Sequence, residues 1–414
     1  MSTTTPHTQT AYKDTPIGKI PADWEVKKLG EVADIDKESL SSNTPKDYKF
    51  DYISLSDVDS EDFNIQTTKQ IFETAPSRAR RIVRKDDILL STVRPNLQGF
   101  SIIRDEVKDL IASTGFAVIS CKNIYNEYLF QFLFGNSIQK QFYQLLVGSN
   151  YPAINSSDVK KLKIPLPPLS EQKRIAEVLS TWDQAIQLTE QLIRQKEQRK
   201  KWLMQNLLTG KMRLKGFSGE SQFRVLGKFI TEVSDRNKNG EIKNVLSVTN
   251  SKGFINQAEQ FEREVASADV SNYKIVRKGQ FAYNPSRVNV GSLDLLRKFD
   301  IGILSPMYVV FETDQKNLIP EYLFYLLKTN WFYGHIPMFV QGSVRDSLSF
   351  DGLCGMKFFI PSIEEQTAIA EVLQTAEKEI ELRKAKAEKL KEQKKGLMQQ
   401  LLTGRKRLKI EIKV

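Results

Sequence analysis

The sequence predicts an α+β protein: two similar α/β lobes separated by a pair of long antiparallel coiled-coil helices, the whole arranged as a pseudo-twofold internal repeat. Three observations predict it. Matching segments recur at a nearly constant offset. Two segments of about forty residues keep a 4-3-4-3 apolar spacing. The stretches between them are rich in β-branched and aromatic runs bounded by Gly, Pro, Asn and Asp.

The repeat comes first, because missing one miscalls a fold. Ile175-Ala176-Glu177-Val178-Leu179 returns as Ile369-Ala370-Glu371-Val372-Leu373, an offset of 369 − 175 = 194. The same offset relates Leu207-Leu208-Thr209-Gly210 to Leu401-Leu402-Thr403-Gly404. It also relates Glu127-Tyr128-Leu129-Phe130 to Glu321-Tyr322-Leu323-Phe324, and Gly148 to Gly342. Val83-Arg84-Lys85 matches Val276-Arg277-Lys278 at 193. A register kept over most of each half marks a tandem duplication, with boundaries expected at 1–169, 170–215, 216–363 and 364–414.

The first helix is expected from about Ser170, taken as its N-cap, because Pro165, Pro167 and Pro168 prevent an earlier start. It runs to Thr209, where Gly210 ends it. The second runs from about Glu364 to Thr403, between Pro361 and Gly404. Forty residues give a rod of roughly 60 Å. The seam of the first is Ile175, Leu179, Trp182, Ile186, Thr189, Ile193, Lys196, Lys200, Leu203 and Leu207. That of the second is Ile369, Leu373, Ala376, Ile380, Arg383, Ala387, Leu390, Lys394, Leu397 and Leu401. A sustained period of 3.5 makes the two helices each other's simplest partner; packing of each on its own lobe, or a seam against another chain, are the alternatives. The link from Gly210 to Phe223 spans at most about 45 Å and cannot return along the rod, which favours the antiparallel arrangement.

In the first lobe, strands are expected at Asp51–Leu55, Ile88–Val93 and Phe116–Ile119. Lys243–Val248, Gln280–Tyr283 and Met307–Phe311 are their counterparts in the second. Short helices are expected at Asn126–Phe134 and Pro320–Lys328.

The chain has 414 residues and a net charge of +11, which suggests a polyanionic partner. Residues 170–215 carry net +5 and residues 364–414 net +4, so any basic patch on the lobes is local. Candidates are Arg78, Arg80, Arg81, Arg84 and Lys85 in the first lobe, and Arg277, Lys278 and Arg287 in the second. The clusters at the helix ends, Lys211, Arg213, Lys215 and Arg405, Lys406, Arg407, Lys409, are read as complementing helix dipoles. Two cysteines and two histidines exclude a disulfide framework and argue against structural zinc and His-rich catalytic sites. They point to a reducing cytoplasm. No run approaches 18 apolar residues, so nothing is expected to span a membrane, and Met1–Thr10 is too polar for a secretion signal.

Enzyme readings find little support. Asn284-Pro285-Ser286 echoes an amino-methyltransferase signature but reads better as a turn. Gly210-Lys211 lacks the remainder of a phosphate loop. Glu241-Ile242-Lys243 has the end of a nuclease pattern, a triplet common by chance in a chain that is 27% charged. A stand-alone metal-dependent nuclease and a coiled-coil scaffold that binds protein only are the alternative classes.

Pro165-Leu166-Pro167-Pro168-Leu169-Ser170-Glu171-Gln172 followed by Ile175-Ala176 resembles the lead-in to the central conserved helix of the specificity subunits of type I restriction-modification systems. Pro361-Ser362-Ile363-Glu364-Glu365-Gln366 before Ile369-Ala370 echoes it. Leu207–Gly210 and Leu401–Gly404 resemble that family's helix close. Ile20-Pro21, Trp24 and Lys28-Leu29-Gly30-Glu31 resemble the opening of its first recognition domain, and Lys85–Leu89 with Arg94-Pro95 is similar as well. Ser362 stands where the first half has Pro168, and the second half's strand reads Phe281-Ala282-Tyr283-Asn284-Pro285.

This resemblance implies a non-catalytic, DNA-binding subunit that reads a bipartite double-stranded target, one half per lobe. Two methyltransferase subunits using S-adenosylmethionine, and two restriction motor subunits using ATP and Mg, are its implied partners, with no cofactor or metal in this chain. The implied subunit interface lies on Ile175, Leu179, Trp182, Ile186, Leu203 and Leu207, and on Ile369, Leu373, Ile380, Leu390, Leu397 and Leu401. Because two half-targets usually differ, residues kept in both repeats (Arg84 and Arg277, Gly148 and Gly342) are framework or partner-binding candidates. DNA contacts are expected from Arg78, Arg80 and Arg81. Base readers are expected in the loops after the matched glycines, Ser149-Asn150-Tyr151 and Ser343-Val344-Arg345, and at Arg94 and Asn96 against Arg287 and Asn289.

Overall fold

The computed structural model describes residues 11–59, 65–146, 152–218, 223–257, 269–340 and 347–408. The chain divides into two compact units, residues 1–190 with 385–414 and residues 191–384.

The first unit opens on the hairpin β1 (Tyr12–Thr15) and β2 (Gly18–Pro21). Next come β3 (Glu25–Lys28), α1 (Leu29–Val32) and β4 (Ala33–Ile35). Then follow β5 (Lys49–Ile53), β6 (Thr68–Ile71), β7 (Ala79–Val83), β8 (Ile88–Ser91), β9 (Phe100–Ile102), β10 (Leu110–Ser113) and β11 (Phe116–Cys121). These build two four-stranded sheets of order β6-β5-β10-β7 and β4-β11-β8-β9. Helices α2 (Asn126–Leu133), α3 (Asn136–Leu145) and α4 (Ser156–Lys161) follow, and β12 (Lys163–Leu166) returns to pair with β3.

The run Ile88-Leu89-Leu90 is continuously apolar because its sheet is covered on both faces. Ile88 and Leu90 join Ala117 and Ile119 in a core shared with α2 and α3. Leu89 points the other way and meets Ile53, Val83, Leu110 and Val118 between the two sheets.

The second unit repeats the plan. It contains β13 (Phe223–Val225), β14 (Ile230–Val233), β15 (Leu246–Thr249), β16 (Gly253–Asn256), β17 (Lys274–Arg277), β18 (Phe281–Tyr283), β19 (Leu293–Leu295), β20 (Ile301–Leu304) and β21 (Val309–Thr313). After them come α6 (Pro320–Leu326), α7 (Asn330–Phe339), α8 (Phe350–Gly355) and β22 (Lys357–Phe359). One four-stranded sheet of order β14-β21-β18-β19 survives, while β15-β16, β17-β20 and β13-β22 form two-stranded pieces. Here too the sheet separates two cores: Phe281, Tyr283 and Phe311 face the helices, and Ala282 and Val310 face the smaller strand pairs.

The long helices are α5 (Leu169–Leu207) and α9 (Ile363–Leu401), 39 residues each. Helix α5 starts one residue before Ser170, so Ser170 lies in its first turn rather than at its N-cap; Pro168 supplies the carbonyl that accepts from the Glu171 and Gln172 amides. In α9 the serine does cap: the Ser362 hydroxyl accepts from the Glu365 amide at 3.4 Å. Both helices stop at Leu-Leu-Thr-Gly, with Gly210 and Gly404 at φ 69 and 67, a left-handed backbone that glycine adopts at least cost.

All twenty seam positions are buried or half-buried. Within the first unit the beginning of α5 lies against the end of α9; Asp183 and Glu190 meet Lys394 and Lys391 at 2.5 and 2.9 Å. Within the second the polarity is the same with roles exchanged, as Glu379, Glu377 and Lys384 meet Lys196, Lys200 and Glu197 at 3.0, 2.7 and 2.6 Å. The helices therefore pack antiparallel. Their ends do more than pair with each other. Ile175, Leu179 and Leu401 belong to the first lobe's core, and Leu207, Ile369 and Leu373 to the second's. The polar seam residues Lys196, Lys200, Arg383 and Lys394 are all ion-paired.

Candidate nucleic-acid interface

One exposed turn recurs in both units. In the first, β8 leads into a single helical turn at Pro95–Leu97, pinned to the body by buried Pro95. Arg94 and Gln98 flank it at φ 50 and 58. L-residues rarely adopt this backbone, and such strain collects at functional sites. Hydrogen bonds from the Arg94 amide to the Pro152 carbonyl (2.8 Å) and from Leu97 to Arg94 (2.9 Å) fix its shape. In the second, β18 leads through Asn284–Arg287 into Val288–Val290, pinned by buried Val288 and closed by Gly291 at φ 94. Arg287 donates to the Asn284 carbonyl at 2.9 Å.

At a common offset of 193, both turns carry arginine, asparagine and an aliphatic tip: Arg94, Asn96 and Leu97; Arg287, Asn289 and Val290. Asn289 is exposed, whereas Asn96 is half-buried with its side-chain oxygen enclosed and without a partner among the described residues. The tips Leu97 and Val290 are 61% and 59% exposed, at matched positions of the two units. The sequence pointed to the arginines and asparagines here and passed over the tips; the 193 offset was the available signal.

The arginines around β7 differ in their commitments. Arg78 is exposed. Arg80 lies 4.9 Å from the Phe72 ring centroid and donates to the Ala79 carbonyl. Arg81 is bound to Asp36 at 3.1 Å and to the Ser39 hydroxyl at 3.2 Å. Arg84 pairs with Glu38 and Arg277 with Asp235, each at 2.8 Å, matched contacts within matched lobes. Asn150, Tyr151 and Arg345, with Gly148, Gly342 and the loops after them, lie outside the described residues. Glu241 sits exposed in a loop. Burial pushes the Cys121 thiol up to about 12, which keeps it protonated and a poor nucleophile.

Both units also share a duplicated polar framework. Asp87 and Gln280 each accept from the amide three residues back, Arg84 and Arg277, at 2.8 Å. Burial raises the Asp87 carboxyl above the ordinary range. Tyr128 donates to the Pro165 carbonyl at 3.0 Å and Tyr322 to the Phe359 carbonyl at 2.7 Å. Gln131 and Lys394 both bind Asp183, as Tyr325 and Lys200 both bind Glu377.

The helix-end arginines require a correction. Arg407 and Arg213 do not merely complement the dipoles of the helices they follow. Each reaches the first turn of the other long helix and binds a glutamate there in two-pronged fashion, Arg407 on Glu171 and Arg213 on Glu365. Arg407 also holds Asp23, and the buried Trp24 indole donates to Glu171 at 3.0 Å. Such forked pairs fix orientation as well as charge. Glu171 and Glu365 stand only as first-turn residues in the linear reading, and their equal spacing was the one hint of more.

Comparison with known proteins follows the same duplication. A profile described as Type I restriction modification DNA specificity domain matches residues 21–198 and again residues 228–392. The chain belongs to the type I restriction-modification DNA specificity family. Both matches of this specificity subunit run from a lobe into its following long helix. It is 32% identical over 220 residues to the Type I restriction enzyme MjaVIII specificity subunit of Methanocaldococcus jannaschii, an alignment covering 50% of this chain and 51% of that one. The match thus spans about half the length of that relative. Along 96% of this chain and 97% of the other, it is 26% identical to a protein of the same organism named for the MjaX type I restriction enzyme specificity subunit. Its fold is similar, with a TM-score of 0.61 at 21% identity over 93% of this chain and 99% of the other, to a chain solved in work on complex assembly and conformational transition of the type I R-M system.

Proposed function

We propose that this specificity subunit reads a bipartite double-stranded DNA target, one half-target with each lobe, and catalyses nothing itself. The observation that carries this reading is the recurrent turn: an arginine, an asparagine and an exposed aliphatic tip at matched positions of both units, on backbones that differ, with Arg94 at φ 50 and Arg287 at φ −133. Arginine reaches phosphates and guanine edges, and asparagine matches adenine. Arg78, Arg80, Arg81, Arg94, Asn96, Arg287 and Asn289, with Asn150, Tyr151 and Arg345, are the proposed DNA contacts. Arg81 acts from the framework side because Asp36 and Ser39 already hold it. Residues 1–169 and 216–363 form the two recognition domains, and 170–215 and 364–414 the helices that set the distance between half-targets.

The partners in this reading are two methyltransferase subunits carrying S-adenosylmethionine and two restriction motor subunits carrying ATP and Mg. Leu188 and Leu382, 194 residues apart, are 65% and 63% exposed on the long helices. Their recurrence at equivalent positions of the duplicated helices matches a partner that docks twice.

Replacing residues 1–169 with the corresponding lobe of another family member tests the division of labour. Methylome sequencing of a host expressing the hybrid with its methyltransferase should show one half of the methylated motif changed and the other kept. A change in both halves, or a short unbroken motif, would refute it.

A further inference from the structure

The first unit contains a cleft of about 890 Å³ bounded by the β1–β2 hairpin, the start of α3 and the paired ends of the long helices. Six cations line it: Lys19, Lys140, Lys391, Lys394, Lys395 and Arg405, against a single lining carboxylate, Asp183. Lys394 and Lys391 are ion-paired with Asp183 and Glu190. Among the described residues, Lys19, Lys140, Lys395 and Arg405 have no carboxylate partner, and all four are exposed. The inner wall is apolar, with Phe132, Ile186, Met398 and Leu402 buried there. Gln144 and Gln399 add amides that hold no partner among the described residues. Helix α3 begins at the cleft on Gly135 and carries no side-chain cap, which adds a positive dipole end to the same wall.

The duplication supplies a control inside the molecule. At an offset of 194, Lys140 becomes Gly334, Lys391 becomes Glu197, Ser137 becomes Trp331 and Gln141 becomes His335. The second unit's cleft shrinks to about 320 Å³. Trp331 stacks on His335 at 3.8 Å and meets Phe358 edge-on at 4.9 Å, and Thr329 caps α7 where Gly135 leaves α3 uncapped. A ligand presented twice, such as a half-target or a methyltransferase subunit, would be met by features kept in both units. Lys395 and Arg405 stay cationic in the second unit as Lys201 and Lys211, but among the described residues only the first unit's cleft adds Lys19 and Lys140 to its rim.

We propose that this cleft binds one nucleoside triphosphate per chain, phosphates on the Lys19, Lys140, Lys395 and Arg405 rim and base against the apolar wall. The volume suits a cofactor-sized ligand rather than a macromolecule, as such pockets span roughly 300–1,000 Å³. The assignment goes beyond DNA recognition and does not rest on it.

Calorimetric titration of the full chain with ATP, in the absence of DNA and partners, tests it. One ATP should bind per chain, inorganic tripolyphosphate should bind more weakly, and K140E/K395E should weaken ATP roughly tenfold or more through loss of screened charge contacts. The control K201E/K211E, at the positions 194 residues before Lys395 and Arg405, should leave ATP binding unchanged. Circular dichroism confirms that each variant is folded. Absence of ATP binding, two sites per chain, equal loss in the control, or K140E/K395E binding like wild type would overturn the proposal. Tripolyphosphate binding as tightly as ATP would overturn its nucleoside part. If ATP fails to bind while K140E/K395E abolishes duplex binding in a gel shift with the methyltransferase, the cleft belongs to the DNA backbone, and the proposal falls while the recognition function stands.

Discussion

Lys394 and Asp183 form the most enclosed ion pair on the helix seam, 2.5 Å apart with side-chain exposures of 11% and 16%. Replacing Lys394 with Met keeps most of the stem's packing but leaves the carboxylate with only the Gln131 amide, 2.7 Å away. Stranding a fully buried charge costs about 3–5 kcal/mol. The residual exposure and the Gln131 bond bring the expected loss to about 2–3 kcal/mol. For a unit of this size that lowers its melting temperature by roughly 5–10 °C. Asp183→Leu combined with Lys394→Met removes both charges and should recover most of the loss, because apolar replacement of a buried pair is close to neutral. Differential scanning calorimetry of wild type, both single variants and the double variant closes the cycle. If the double variant is as unstable as Lys394→Met alone, stability at this point comes from the pair itself rather than from the avoidance of an unpaired charge, and the reasoning fails. A neutral Lys394→Met would show that the seam is wetter than its geometry states.

Two further outcomes concern recognition and assembly. Arg94→Ala with Arg287→Ala should weaken duplex binding and lower its salt dependence by up to about two counterions if both arginines meet phosphates; an unchanged salt slope with altered motif preference would place them on bases instead. Leu188→Asp together with Leu382→Asp should leave the chain folded, since both side chains are exposed, yet reduce methyltransferase association in gel filtration; undiminished assembly would move the docking surface elsewhere.

Much of the architecture is legible in the sequence because it depends on periodicity, which is a local property. The 4-3-4-3 spacing marked twenty seam positions, and none of them is exposed. Even lysines at seam positions fit, because their carboxylate partners follow the same repeat: Asp183 for Lys394, Glu377 for Lys200. What periodicity cannot supply is the identity of long-range partners. Arg407 and Glu171 lie 236 residues apart, so the arginine looked like a helix-end cation. The strand expected from Lys243 to Val248 is observed from Leu246, the first buried residue of the run; before it, Asn244 and Val245 hold Ile303 only through an isolated bridge and a carbonyl, contacts set by distant residues that local sequence does not reveal. The proposed recognition turns stand out in the sequence by their arginine and asparagine, residue types that read bases. Their aliphatic tips do not, because only an observed exposure distinguishes Leu97 from a core leucine.

Glu377 offers a test of the seam by pH. Burial alone would raise its carboxyl, but the hydrogen bond and charge of Lys200, the Tyr325 hydroxyl and Arg297 outweigh burial and hold it below the ordinary value. A carboxyl whose folded value is depressed contributes stability that is fully present above its unfolded value, about 4.3, and is lost as pH falls through the lower folded value. Lys200→Met removes the largest lowering influence and leaves burial in force, so the folded value should rise above the unfolded one and the sign reverse: acidification then relieves the variant of an unfavourable charge. The stability gap between wild type and Lys200→Met, measured by urea unfolding, should therefore be widest near pH 7 and narrow steadily towards pH 4. A gap that stays constant or widens on acidification would mean that Lys200 stabilises the seam through other contacts, such as its ammonium 5.5 Å from the Tyr325 ring centroid, and not through the charge of Glu377.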